Sequence, residues 1–204
     1  MKGQLLIAVP ALIDPNFRRT VVLVGEHNEE GALGLVLNRP SEATIADAVP
    51  ELSVLVDGSE QVHVGGPVQL SAIVIVADFV DPERAGSLVF DSVGFLPAEV
   101  DPDALGELTQ VRVFAGYAGW GPGQLDGELE EGSWIVEPAI ATDVFTLDPD
   151  ELWSEVLRRK GGPYSVLALM PVAACAACRW GPATARSPSW RAVRWRRSRA
   201  AASA

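Results

Sequence analysis

The sequence predicts one α+β domain over residues 1–171, a mixed or antiparallel sheet flanked by a few short helices, followed by a separate tail over residues 172–204. Three observations point there. Short apolar runs bounded by Gly, Pro or Asp outnumber amphipathic helical stretches. The two kinds do not alternate regularly, which argues against a doubly wound parallel sheet. Composition changes after Pro171: residues 172–204 hold seven arginines and no acidic residue.

The elements follow in order. Leu5 to Val9 reads as a short buried strand, and Asp14-Pro15-Asn16 as a turn. Thr20–Gly25 and Ala32–Leu37 are β-branched and apolar, and the polar loop His27–Gly31 between them predicts a hairpin. Thr44 is placed to cap a short helix through Ala48, ended by Pro50. Val62–Val64 is expected to be a strand ending at Gly65-Gly66-Pro67. Leu70–Ala77 is an apolar run suited to a central strand, and Ser87–Phe90 is another short strand. Asp101-Pro102 opens a predicted helix to Leu108, and Gln110–Ala115 alternates like a strand. The clearest helix runs from Asp148 to Lys160, with Asp148 as cap, Pro149 first and Glu151 completing a capping box. Its Leu152, Trp153, Val156 and Leu157 share one face, Arg158, Arg159 and Lys160 suit its C-terminal end, and Gly161 stops it. Tyr164–Leu169 is expected to be a last strand.

Charge narrows the function classes. The whole chain of 204 residues carries a formal net charge of −11. All seven arginines of residues 172–204 are unaccompanied by any acid, so residues 1–171 hold 9 basic and 27 acidic groups. A body this acidic repels phosphate, and direct nucleic-acid binding by residues 1–171 is not expected. Both cysteines, Cys175 and Cys178, lie in the tail, so the body has neither a disulfide framework nor a thiol nucleophile. No apolar run approaches membrane-spanning length, and Leu5–Val9 reads as a strand rather than a signal peptide. The cytoplasm is the expected compartment, with no membrane association.

The tail offers three readings. Its arginines and three tryptophans suit a basic arm for nucleic acid or an anionic membrane. Cys175-Ala176-Ala177-Cys178 is half of a metal site or a redox pair, with no second pair beside it. The expectation is instead a disordered segment or the product of a shifted reading frame, since no apolar period emerges.

Three stretches together resemble the YqgE/AlgH family of bacterial proteins. They are Gly3-Gln4-Leu5-Leu6-Ile7-Ala8 through Asp14-Pro15-Asn16-Phe17 and Thr20-Val21-Val22; then Glu26-His27, Gly31 to Pro40 and Gly65-Gly66-Pro67-Val68; then Gly116-Tyr117-Ala118-Gly119-Trp120-Gly121-Pro122-Gly123-Gln124-Leu125, Glu128 and Trp134. The resemblance implies an α+β domain with a small barrel-like sheet, bacterial cytosolic occurrence and the label of transcriptional regulator. It carries over no catalytic set. The family pattern departs after Met170-Pro171, where a short acidic or polar ending is expected.

No residue set points to catalysis, a metal or a cofactor. His27 falls in a predicted loop and His63 within an apolar strand, where a histidine is expected to be packed and satisfied. Ser133 and Ser165 lack a G-x-S-x-G elbow. Glu128, Glu130 and Glu131 read as a solvated helix face, and Asp148, Asp150 and Glu151 are explained by capping. The glycines at 116, 119, 121 and 123 lack the residues of a phosphate loop. What remains is a candidate partner-binding surface: Asn38, Arg39, Gly65, Gly66, Trp120 and Gln124, on loops that follow predicted strands. Trp120 would supply apolar area, Arg39 charge, and Asn38 and Gln124 directional hydrogen bonds. The expected function is a non-enzymatic binding or regulatory protein acting through contacts with an unknown protein partner. Indirect regulation of transcription and an enzyme with a polar cleft are the rivals.

Overall fold

The computed structural model describes residues 1–50, 52, 57–97 and 106–171. Residues 101–105 of the helix predicted from Asp101 to Leu108 and the tail from residue 172 lie outside the described residues; at the end of that stretch Gly106 and Glu107 are irregular and Leu108 begins a strand.

Ten strands form one mixed sheet: β1 (Gln4–Ala8), β2 (Val21–Asn28), β3 (Gly31–Val36), β4 (Pro40–Thr44), β5 (Gln61–Val64), β6 (Val68–Phe79), β7 (Ser87–Phe90), β8 (Val93–Phe95), β9 (Leu108–Trp120) and β10 (Trp134–Pro138). The order along the main path is β10-β1-β2-β3-β9-β6-β8-β7, with β4 paired to β5 and β5 to β9. All pairings are antiparallel except β5 with β9, where His63 stands beside Phe114 and Val64 beside Ala115. The helices are α1 (Ile45–Ala48), α2 (Gln124–Glu130), α3 (Ala141–Val144), α4 (Leu152–Lys160) and α5 (Tyr164–Leu167).

Period-two alternation sends β1 and β2 side chains to two cores. Leu5, Ile7 and Leu23 pack with Leu35 and with Trp153, Val156 and Leu157 of α4. Leu6, Val22 and Val24 face the other way, onto Trp120, Leu125 and Trp134. Trp153 is locked by donating its indole N–H to the Ala8 carbonyl at 2.9 Å, and the Arg19 guanidinium lies 4.0 Å over its ring. The outer edge of β10 is covered rather than open. Lys160 Nζ donates to the Val136 carbonyl, and Arg159 donates to that of Pro138 while forking onto Asp143 at 2.6 and 2.8 Å.

The sheet curls, since Phe95 of β8 packs on Gly25 of β2 and Phe90 of β7 on Gly3. Among the described residues it does not close: no ladder joins β7 to β2. The barrel-like sheet implied by resemblance is therefore an open, curled one.

Several sequence expectations are corrected. The predicted strand Gln110–Ala115 continues to Trp120, because Gly116 at φ +70 lets β9 pass a bulge in β6 instead of ending. The helix predicted from Asp148 begins at Leu152; the Asp148 amide bonds the Thr146 hydroxyl, and Pro149–Glu151 form a turn. Tyr164–Leu169 is helical over Tyr164–Leu167, a short apolar run whose periodicity does not separate helix from strand. His27 lies inside β2 rather than in a loop, and strands β4, β8 and β10 had no sequence reading. Thr44 caps α1 as expected, accepting from the Asp47 amide at 3.2 Å.

Candidate functional site

Gln110, Arg112 and Phe114 alternate along β9 and so share one face of the sheet. β5 lies parallel to this stretch, which sets His63 alongside Phe114 on that face, the rings 5.9 Å apart. The turn after α3 closes the space from the third side. The result is a cleft of about 490 Å³ floored by His63 and Arg112 and walled by Glu60, Gln110, Thr146 and Leu147.

Both floor residues are buried: His63 is 5% exposed and Arg112 9%. Arg112 donates one terminal nitrogen, Nη2, to the Thr146 carbonyl at 2.7 Å; the other, Nη1, is buried with no partner among the described residues. Burial lowers the Arg112 pKa and the Glu60 carboxylate opposes that, but a guanidinium this basic stays charged. No carboxylate among the described residues lies within ion-pair distance of it.

His63 is the complementary half. Its Nδ1 lies 3.3 Å from the Gln61 carbonyl, which only accepts, so Nδ1 carries the proton. Nε2 is then a lone-pair acceptor, buried and unpartnered. Burial, reinforced by the Arg112 charge, lowers its pKa to about 4 against the weaker pull of the Gln61 carbonyl, so the ring is neutral at pH 7. Two residues lining the cleft thus carry one cationic donor and one neutral acceptor, both desolvated and both without a partner among the described residues. Buried polar groups are normally satisfied, and unsatisfied ones mark sites that something else completes.

The six residues singled out from sequence fall elsewhere, in three groups. Asn38 is buried and bridges the start of β2: its Oδ1 accepts from the Val21 amide and its Nδ2 donates to the Arg19 carbonyl. Arg39 donates to the carbonyls of Arg18 and Asn38, and its Nε is buried without a partner. Burial and the Arg18 charge lower its pKa, opposed by Asp150. Gly65 and Gly66 sit where backbones touch; a Cβ on Gly65 would lie 2.4 Å from the Gly116 carbonyl oxygen, and one on Gly66 2.2 Å from the Tyr117 carbonyl carbon. Trp120 and Gln124 meet through Glu128, whose carboxylate accepts from the Trp120 indole at 3.0 Å, the Trp134 indole at 2.8 Å and the Gln124 amide at 2.9 Å. Phe17 stacks on Trp120 at 6.1 Å, so residues 17 and 18 lie between the Trp120 and Arg39 groups. Trp120 also lines a shallow groove of about 420 Å³ beside Glu26, Asn28 and Tyr117.

None of the six lines the His63–Arg112 cleft. Arg112 escaped the sequence reading, although a signal was present: one of only nine basic residues in the body sits in phase with Phe114 inside an alternating strand. The expectation that His63 would be packed holds, but the ring is only half satisfied.

A family model described as AlgH-like matches residues 5–165. A UPF0301 protein of Streptomyces coelicolor is 42% identical over 178 residues, covering 84% of this chain and 92% of the relative. One from Mycobacterium avium is 41% identical over 176 residues, covering 83% and 88%. Among solved structures, a protein from Corynebacterium diphtheriae superposes with a TM-score of 0.74 at 30% identity, over 82% of this chain and 91% of that one. The AlgH protein from Pseudomonas aeruginosa superposes at 0.62 and 32%, over 83% and 94%.

Proposed function

This chain belongs to the AlgH-like family, and from that premise we propose that it is a non-enzymatic binding protein whose ligand enters the cleft between β5, β9 and the turn after α3. The observation that carries the reading is the pair of buried, unpartnered nitrogens, His63 Nε2 and Arg112 Nη1, on two residues that line one cleft. A bound group with an anionic acceptor beside a hydroxyl or N–H donor completes both.

Binding is favoured over catalysis by the chemistry of the same residues. A general base works best with a pKa near the operating pH, and His63 is lowered to about 4. Of the hydroxyls lining the cleft, that of Thr146 already accepts from the Asp148 amide. His63 Nε2 has no hydroxyl partner to activate. A regulatory role in the cytoplasm, exercised through protein contacts rather than on DNA, is part of the same reading.

The test is thermal denaturation of the full chain against a panel of small carboxylates, phosphate esters and peptides, with the panel followed by NMR for turnover. A ligand at a hundred times its Kd adds about 2.7 kcal/mol, which raises the midpoint of a domain this size by about 5–10 °C. Arg112→Met removes that shift. Consumption of any panel member by the wild type but not by Arg112→Met or His63→Gln overturns the non-enzymatic reading.

A further inference from the structure

The cleft has a second property beside its unpartnered side chains. The β9 residues Leu108, Thr109, Gln110, Val111 and Arg112 line it in unbroken succession. On one side this stretch pairs with β6. On the other side β5 reaches only Phe114 and Ala115. Upstream of that point, no described strand pairs with β9 on the β5 side.

The direction of each backbone group follows from the ladder. The Gly65 amide donates to the Ala115 carbonyl, so Ala115 faces β5. Leu96 donates to the Ile75 carbonyl, so Ile75 faces β8 and its neighbours Val74, Val76 and Asp78 face β9. Their partners Phe114, Arg112 and Gln110 therefore spend their amides and carbonyls on β6. Val111 turns its own the other way, into the cleft, whereas Thr109 is the extra residue where the β6–β9 register shifts; neither bonds another element among the described residues. An exposed strand edge of this kind is a template for an added strand.

Building on the binding reading above, we propose that the cleft takes the C-terminal end of an extended peptide, added as a strand beside Leu108–Val111 and parallel to β9. In that direction the peptide runs in line with β5 and ends where Gln61 begins. Its terminal carboxylate meets Arg112 Nη1, and its last amide N–H meets the His63 Nε2 lone pair. This is the one common biological group that pairs an anionic acceptor with an adjacent N–H donor and brings a strand's backbone with it. The four edge residues span about 13 Å, the length of a tetrapeptide strand. With 9 basic and 27 acidic groups in residues 1–171, the surroundings favour Lys and Arg upstream of the single carboxylate.

The full chain is mixed with two pools of random pentapeptides, one ending in a free carboxylate and one in a carboxamide. Retained peptides are separated by size and identified by mass. The acid pool is expected to be retained at least tenfold over the amide pool, enriched in Lys and Arg before the last residue. Arg112→Met brings the ratio to about one. Val111→Pro, which deletes an outward amide and spares the β6 ladder, lowers retention at least tenfold. In the wild type, amide-exchange protection on peptide addition should rise at Val111 and not at Gln110 and Arg112, which needs no variant to fold. Equal retention of both pools, or protection without that alternation, overturns the proposal. If acetate or N-acetylglycine binds in an Arg112-dependent way while neither pool is retained, the peptide assignment falls and the binding reading stands. If nothing binds, both fall.

Discussion

Acidification from pH 7 to pH 4 should destabilise this protein through one residue. His63 titrates with an ordinary pKa of 6.5 when unfolded and at about 4 when folded, because burial and the Arg112 charge both penalise the imidazolium. The folded value is depressed, so below pH 6.5 the unfolded chain binds the extra proton and the folded state loses stability as pH falls. The stability is intact above pH 6.5, and the loss levels off below about pH 4. Each pKa unit is worth about 1.36 kcal/mol, so the loss reaches about 2 kcal/mol at pH 5 and about 3 kcal/mol at pH 4. Carboxylates titrate in the lower half of the same window, so the assay is a difference. Urea unfolding of wild type and His63→Gln is followed at half-unit steps from pH 7.5 to 4, with the imidazole Cε1–H shift read by NMR. The wild-type curve should fall away from that of the variant by about 3 kcal/mol across the window. Parallel curves within about 0.5 kcal/mol, or a folded-state His63 pKa near 6.5, would refute the buried neutral imidazole, and with it the lone-pair acceptor on the cleft floor.

Two further predictions concern other parts of the molecule. Glu128→Ala orphans the indole N–H groups of Trp120 and Trp134, which are 6% and 5% exposed, and is expected to cost about 2–4 kcal/mol in urea unfolding followed by tryptophan fluorescence; a change under about 0.5 kcal/mol would show the carboxylate to be dispensable. A protein ending at Pro171 should show no submicromolar binding to duplex DNA at physiological salt, because 9 basic against 27 acidic groups leave no cluster to displace counterions; a gel shift by that truncated protein at that salt would sink the argument.

Local chemistry was legible in the sequence wherever a short stretch decides its own conformation. The β2–β3 hairpin, the Thr44 cap of α1, the buried face Leu152–Leu157 of α4 and the Gly161 stop all follow from side-chain type and spacing. The family resemblance was legible too, from three fragments spread over residues that the AlgH-like model matches. The readings that failed were those where neighbours outvote local preference. Gly116 looked like a loop and is a kink within β9, since the bulge in β6 is what it passes. What Asn38 bonds was equally beyond reach: it brackets Arg19 and Val21, since only the fold brings those backbone groups to it. Trp120, expected to supply apolar area to a binding surface, packs in a core with Phe17 and Trp134 and also lines the shallow groove beside Tyr117.

The candidate site shows the same division. By itself the sequence determined the acidic body, the absence of a thiol there, the amphipathic segments and the alternation that puts Gln110, Arg112 and Phe114 on one face. It contained both His63 and Arg112, but nothing in their spacing joins them. Only the tertiary structure decided that β5 lies parallel to β9, that the turn after α3 uses one arm of Arg112, and that no described carboxylate meets the other. The reason is physical: a side chain's rotamer and pairing options are local, whereas desolvation and the presence or absence of a partner depend on atoms that arrive from distant parts of the chain.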